Sequence, residues 1–186
     1  LSNADDCEYL EERYGYLFIN NDNLIEKWSP VRWDREVTKM TPGSRDDEYG
    51  FNSWSRLEKE KHPFTELMIL DRYVLEDKSN QRIIDNVVPL IKSLLNNHHS
   101  TTRAPKITII TKYREPKKLG EVLNRLNGLI PNIELGIIHY DKKYAPNKNF
   151  IDEHDREIYT NYLKFECGSG WNIFKVNGRV NHRTTI

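Results

Sequence analysis

A short stretch near the end of the chain concentrates residue types that handle anions. His154 and Arg156 stand two residues apart, so on a β-strand both side chains would project from the same face. A histidine that acts as nucleophile or general base beside a fixed cation suits reaction at a phosphate group. Downstream, Ser169 in a Gly-Ser-Gly turn and Asn172 supply hydroxyl and amide donors that can close around an anion. The stretch therefore predicts a phosphate site.

The spacing of these residues resembles the signature of the phospholipase D superfamily. That signature is a histidine, a lysine two residues on, an acid five residues after the lysine, then Gly-Ser and an asparagine. The residues that fall on this frame are His154, Arg156, Asn161, Gly168, Ser169 and Asn172. Arginine replaces the lysine, asparagine replaces the acid, and the last asparagine comes one residue late.

The stretch is more similar still to the phospholipase D-like domain at the C-terminus of MIT-domain proteins. That family has a His-Asp-Arg start, a strand, and then Gly-x-Gly followed by an aspartate and an aromatic residue. His154-Asp155-Arg156 and the run 168–174 resemble this version, with Asn172 where the family usually has an acid. The resemblance covers residues 66–174, and its most specific part is the motif at the end.

The resemblance implies a phospholipase D-like half-unit, in which the histidine of one half attacks phosphorus and that of the other protonates the leaving group. One motif per chain then requires a dimer for turnover. Arg156 keeps the charge of the family's lysine, but Asn161 lacks the carboxylate that is taken to orient the histidine. Losing such a carboxylate from a catalytic triad costs on the order of 10⁴-fold in rate. The first interpretation is therefore a catalytically degenerate domain that binds a phospholipid headgroup or a nucleic-acid backbone.

Two other functions stay open from the sequence. One is an active, metal-independent phosphodiesterase or nuclease that works as a homodimer. The other is a protein-interaction module of a larger multidomain protein, in which the motif is a relic. The expected location is the cytoplasm, with the membrane periphery as the alternative for a lipid ligand.

Composition limits the classes of partner. The chain has 186 residues, with 28 basic and 28 acidic side chains. Because these charges balance, no bulk field attracts the protein to nucleic acid or anionic membranes, and an anion site must be local. The sequence has no run of about eighteen apolar residues, so it predicts no transmembrane helix. Cys7 and Cys167, at opposite ends of the chain, favour reduced thiols in a cytoplasmic protein.

No cofactor is expected. His98-His99 has no further ligands at usable spacing, so we predict no metal. The chain has no GxGxxG or Walker sequence, and nucleotide cofactors are therefore not indicated.

The N-terminal third is the least regular part of the sequence. Residues 1–4 resemble an expression-tag remnant, and 5–65 predict a loop-rich segment with a short strand at residues 16–19. Its tryptophans, Trp28, Trp33 and Trp54, predict a cover packed on the core, with a mobile lid as the alternative.

Residues 66–186 predict an α/β core. A continuous apolar run at 67–70 is typical of a buried strand, and 106–111 and 133–140 predict two further strands. The amphipathic spacing at 81–97 and 116–129 predicts helices. Pro89 predicts a kink or break in the first helix. The alternation indicates a single domain with a mixed, partly parallel sheet flanked by helices, whose first three strands are parallel. An antiparallel strand pair then carries the motif.

Ligands of open α/β sheets bind beyond the carboxyl ends of the parallel strands. Asp71, Arg72 and Tyr73 follow the first predicted strand, Lys112 follows the second, and His139 lies near the end of the third. We therefore expect these five side chains to line the crevice that holds the motif.

Several of these residues also have a structural explanation. Arg156 is suited to an ion pair with the neighbouring Asp155 or Glu157. Asp71 is suited to capping a turn, and the serine and asparagine of the Gly-Ser-Gly stretch are suited to shaping it.

Overall fold

A computed structural model describes most of the predicted core. The described residues are 4–20, 23, 39–40, 53–59, 64–76, 83–95, 103–112, 115–139, 156–167, 170–171, 173–174 and 184–185. His154, Ser169 and Asn172 lie outside these ranges, as do Trp28 and Trp33. The predictions made for these five residues therefore stay predictions.

Helices and strands alternate as far as residue 139, and the elements described after it are strands. In chain order they are α1 (Ala4–Tyr14), β1 (Lys39–Met40), a 3₁₀ helix (Trp54–Lys59), β2 (Glu66–Leu70), a π-helical turn (Ile83–Val87) that continues into α2 (Val88–Leu95), β3 (Lys106–Thr111), a 3₁₀ turn (Pro116–Lys118) before α3 (Leu119–Leu129), β4 (Glu134–His139), β5 (Glu157–Thr160), β6 (Lys164–Glu166) and β7 (Thr184–Thr185). β1 and β7 form a small antiparallel ladder of their own.

The other five strands form one mixed sheet with the order β4-β3-β2-β5-β6. β2, β3 and β4 run parallel, while β5 is antiparallel to β2, and β6 is antiparallel to β5. Leu70 lies opposite Ile110 on one side and Glu157 on the other. The predicted α/β class and the parallel arrangement of the first three core strands are confirmed, as is the antiparallel final pair.

The core lies on one side of this sheet. Alternate residues of the three central strands are at most 1% exposed: Leu67, Ile69, Ile107, Ile109 and Ile158. The helices supply Leu90, Ile91, Leu94, Val122 and Leu126, which are also buried. Each such side chain contributes about 1.5–3 kcal/mol through burial, so this layer fixes which face of every strand points inward. None of the described helices is long and apolar enough to cross a membrane.

The helix containing Pro89 does not break in two. A five-residue π-helical turn, Ile83–Val87, leads directly into Val88–Leu95. Proline lacks an N–H, so the carbonyl of Asp85 loses its usual α-helical donor, and a wider turn just before the proline accommodates this. The turn also aims the buried Asn86 at Phe174. Its Nδ2 donates to the Phe174 carbonyl at 2.8 Å, and its Oδ1 accepts the Phe174 N–H at 2.8 Å.

The N-terminal segment differs from the prediction. The strand predicted at residues 16–19 is not formed, and Ala4–Tyr14 forms a helix that was not predicted. The N–H of Leu17 donates to the Tyr162 hydroxyl at 2.9 Å, and the N–H of Phe18 donates to Glu11 at 3.0 Å. These backbone donors bond to side chains, so no ladder is built from them.

Candidate functional site

The site lies at the edge of the sheet where β2 and β3 end and β5 begins. Because Leu70 pairs with Glu157, Asp71 lies beside Arg156 at this edge. The N–H of Asp71 donates to the Ile110 carbonyl at 3.2 Å, which joins the ends of β2 and β3. The carboxyl ends of the parallel strands therefore meet the beginning of the motif strand.

Asp71 is buried, with 2% of its surface exposed. Its Oδ1 accepts the N–H of Tyr73 at 2.8 Å, and its Oδ2 accepts the N–H of Trp171 at 3.1 Å. Burial raises the pKa of the Asp71 carboxyl, while these N–H groups and the charge of Arg156 act in the opposite direction. Asp71 was expected to contact a ligand. In the structure both of its oxygens accept backbone N–H groups, and Asp71 joins β2 to the turn after β6.

The backbone of Gly170 lies against the side chains of Asp71 and Arg156. Its φ is +90°, and a Cβ added to it would lie 2.9 Å from Asp71 Oδ2, 3.0 Å from Arg156 Cδ and 3.1 Å from Arg156 Nε. Both the left-handed backbone and the missing side chain are therefore required here. The N–H of Cys167 donates to the Arg156 carbonyl at 2.9 Å, and the Cys167 thiol donates to the Gly170 carbonyl at 3.1 Å. The turn is thus tied to the Arg156 backbone as well.

Arg156 is half-buried, and its charge acts on Asp71. The neighbouring Glu157 is used elsewhere, because adjacent strand residues point to opposite faces. Glu157 lies 2.6 Å from the Lys164 ammonium and accepts the Tyr159 hydroxyl at 2.5 Å. Although partial burial opposes it, these hydrogen bonds lower the pKa of the Glu157 carboxyl. An Arg156–Glu157 ion pair is therefore not the arrangement found. Asp71 is a described carboxyl that lies beside this arginine, and Asp155 lies outside the described residues.

Two residues that follow Gly170 pack against the aromatic part of the core. Trp171 is fully buried, and its ring lies 6.0 Å from that of Trp54, which is 2% exposed. Trp54 also meets Phe174 edge-on at 5.4 Å. The turn that follows the motif strand is therefore seated on the aromatic part of the core, and Trp54 contributes from the N-terminal segment.

The other predicted rim residues divide into two groups. Arg72 and Tyr73 follow β2, with the guanidinium 5.1 Å from the tyrosine ring, and the N–H of Lys112 donates to the Arg72 carbonyl at 3.0 Å. These three residues lie close to Asp71. His139 ends β4, three strands from β5, which corresponds to about 14 Å. His139 is at the same edge of the sheet, but the structure does not bring it to Arg156.

Asn161 lies at the opposite end of β5 from Arg156. Its Oδ1 accepts the N–H groups of Thr65 and Glu66 at 2.7 and 3.1 Å. Because β5 separates the two ends, Asn161 is about 13 Å from the Arg156 end. Its expected place in a catalytic group with Arg156 does not fit this position. In the structure, Asn161 ties the end of β5 to the start of β2.

Sequence reasoning missed two parts of the site. It selected the serine and asparagine of the turn, whereas the described contacts come from Gly170 and the backbone N–H of Trp171. The Gly-x-Gly spacing was the available signal for the first, but a backbone donor leaves no trace in the sequence. Among the described residues, no group of three or more His, Cys, Asp and Glu side chains is placed to hold a metal ion.

No protein-family model matches this chain, and no curated protein is significantly similar to it. The resemblance to phospholipase D-like domains therefore depends on the motif and on the order of the elements.

Proposed function

We propose that this chain is a phospholipase D-like half-unit that binds a phosphate-containing ligand where β2 and β3 end and β5 begins. The observation that carries the proposal is the convergence of three separate segments at Arg156. Asp71 comes from the end of β2, Arg156 from the start of the motif strand, and Gly170 from the turn. A Cβ added to Gly170 would lie within 3.1 Å of both Asp71 and Arg156 side-chain atoms. Segments 100 residues apart are thus joined around one arginine.

Charge supports a phosphate rather than a neutral ligand. Arg156, Arg72 and Lys112 lie at the same edge of a protein whose 28 basic and 28 acidic residues balance overall. A guanidinium presents a planar set of donors that matches two phosphate oxygens, and charge-assisted bonds of this kind are about twice as strong as neutral ones. The phosphate is proposed to belong to a lipid headgroup or a nucleic-acid backbone, with the domain forming part of a larger cytoplasmic protein.

The proposed loss of hydrolysis rests on the number of motifs. Since Asn161 lies at the far end of β5, its missing carboxylate does not bear on chemistry beside Arg156. What remains is that one chain carries one motif, whereas the phospholipase D mechanism uses two histidines. This favours binding without turnover by a single chain, and it keeps an active, metal-independent dimer as the second candidate.

Isothermal titration of wild type, Arg156→Ala and Arg103→Ala tests the proposed binding. Arg103 is an exposed arginine that precedes β3 at the opposite edge of the sheet, so it controls for the general loss of one positive charge. Inositol hexakisphosphate and a short single-stranded DNA separate the lipid-headgroup and nucleic-acid sources of phosphate. Arg156→Ala should weaken binding at least about tenfold through loss of a charged hydrogen bond, while Arg103→Ala binds as wild type. Equal binding by wild type and Arg156→Ala would overturn the proposal.

A further inference from the structure

We infer that Asp71 is the positioning residue of this site, and that its buried carboxyl orients Arg156 and the Gly170 turn without touching the ligand. This inference rests on the proposed function of Arg156. It assigns a role to a side chain that the sequence analysis expected at the surface of the crevice.

The Asp71 oxygens already accept hydrogen bonds from inside the protein. Oδ1 holds the Tyr73 N–H, Oδ2 holds the Trp171 N–H, and the side chain is 2% exposed. A carboxylate directed at a phosphate would also repel it. Asp71 therefore faces Arg156 and the backbone, and it is shielded from the ligand.

Gly170, Asp71 and Cys167 confine Arg156. A Cβ at Gly170 would meet Arg156 Cδ and Nε at 3.0 and 3.1 Å and Asp71 Oδ2 at 2.9 Å, so the glycine backbone, the carboxyl and the guanidinium stem fill one space. The Arg156 carbonyl also accepts the Cys167 N–H. An arginine held in this way loses less conformational freedom when it binds an anion, and this increases affinity.

The side-chain Nε–H resonance of Arg156 reports this positioning before any ligand is added. In the wild-type protein without phosphate, the signal missing from the Arg156→Lys spectrum should have a shift distinct from exposed arginines and exchange slowly with water. In Asp71→Asn this signal should move to the chemical shift that exposed, freely rotating arginines share. A wild-type signal at that shared chemical shift, or one unchanged in Asp71→Asn, would overturn the inference.

Titration of the same variants with inorganic phosphate then tests whether the position of Arg156 affects binding. Asp71→Asn and Gly170→Ala should each weaken binding about tenfold, and Gly170→Ala does so with every charge intact. Thermal denaturation checks that each variant is folded. If Asp71→Asn does not fold, the wild-type resonance and Gly170→Ala decide the question.

The two failures are distinguishable. If Arg156→Ala binds phosphate as wild type does, the proposed function fails. If Arg156→Ala loses binding, while folded Asp71→Asn and Gly170→Ala bind as wild type does, only the positioning role fails.

Discussion

At the scale of single residues, Asp71 shows how one residue type fits two roles. An aspartate after a buried strand is suited both to ligand contact and to capping a turn. The Tyr73 N–H bond is the capping role, and the Trp171 N–H bond adds a link across 100 residues of sequence. Burial favours the capping role, because a residue that is 2% exposed presents little surface to a ligand.

The buried carboxyl predicts a pH dependence of stability. Since burial raises the pKa of Asp71 above its ordinary value of 3.8, the folded protein binds this proton more tightly than the unfolded chain. The contribution to the free energy of unfolding is therefore complete below about pH 4 and is lost as pH rises through the folded pKa. Asparagine does not titrate, so Asp71→Asn removes this dependence.

Urea denaturation of both proteins from pH 4 upward measures this contribution. The free energy of unfolding of wild type minus that of Asp71→Asn should decrease as pH rises. A difference that is constant or increases with pH would show that the folded pKa is not raised.

At the scale of elements, the core strands were predictable and the hydrogen bonding of irregular segments was not. β3 covers Lys106–Thr111 as predicted, because five consecutive β-branched residues, isoleucines and threonines, are typical of a strand. The apolar pattern of α2 gives its buried face but not the spacing of its hydrogen bonds, so the π-helical turn could not be foreseen. The segment at residues 16–19 has strand-like composition, but the N–H groups of Leu17 and Phe18 donate to Tyr162 and Glu11.

The candidate site was predictable in the same uneven way. The carboxyl-end rule for parallel strands grouped Asp71 and Lys112, but the pairing of β5 with β2, which brings Arg156 to the same edge, comes from the structure. The motif gives only the number of residues between Arg156 and Asn161. It does not show that an extended strand, β5, separates them and carries Asn161 to the far edge. Nor could it show the close contact at Gly170, which depends on the approach of three segments.

The position of Asn161 predicts a structural effect of its substitution. Asn161→Ala removes the acceptor of the Thr65 and Glu66 N–H groups and should lower the free energy of unfolding by about 1–3 kcal/mol. Asn161→Asp keeps an acceptor and should cost less. Chemical denaturation measures both, and phosphate titration should find both as tight as wild type when folded. Loss of phosphate binding in folded Asn161→Asp would show that this residue acts at the site after all.

At the scale of the whole molecule, the proposed anion site occupies one of the two edges at which the strands of the sheet end. Arg156, Arg72 and Lys112 lie at the carboxyl edge of the parallel strands. The opposite edge carries exposed tyrosines, with Leu17 bonded to Tyr162. A single anion site at the first edge is consistent with the balanced overall charge, and a two-histidine reaction there would need a second copy of the chain.

Catalysis is therefore predicted to follow oligomeric state. A monomer should not cleave a chromogenic phosphodiester, with or without EDTA, whereas a two-fold dimer whose motifs face each other has both histidines that turnover requires. Light scattering on the assay sample gives the oligomeric state, and His154→Ala is the control for contaminating activity. Cleavage by a monomer that disappears in His154→Ala would contradict the prediction.

The central claim is that the phosphate site lies at the carboxyl edge of the sheet, and backbone amide NMR tests its location most directly. Wild-type protein is titrated with inorganic phosphate, and a parallel titration with sodium chloride at matched ionic strength controls for salt. We predict phosphate-specific shifts at the amides of Arg156, Cys167, Gly170 and Lys112. The amides at the other edge, such as Thr65 and those of residues 161–162, should not move. Shifts confined to that other edge, or equal shifts with chloride, would contradict the account.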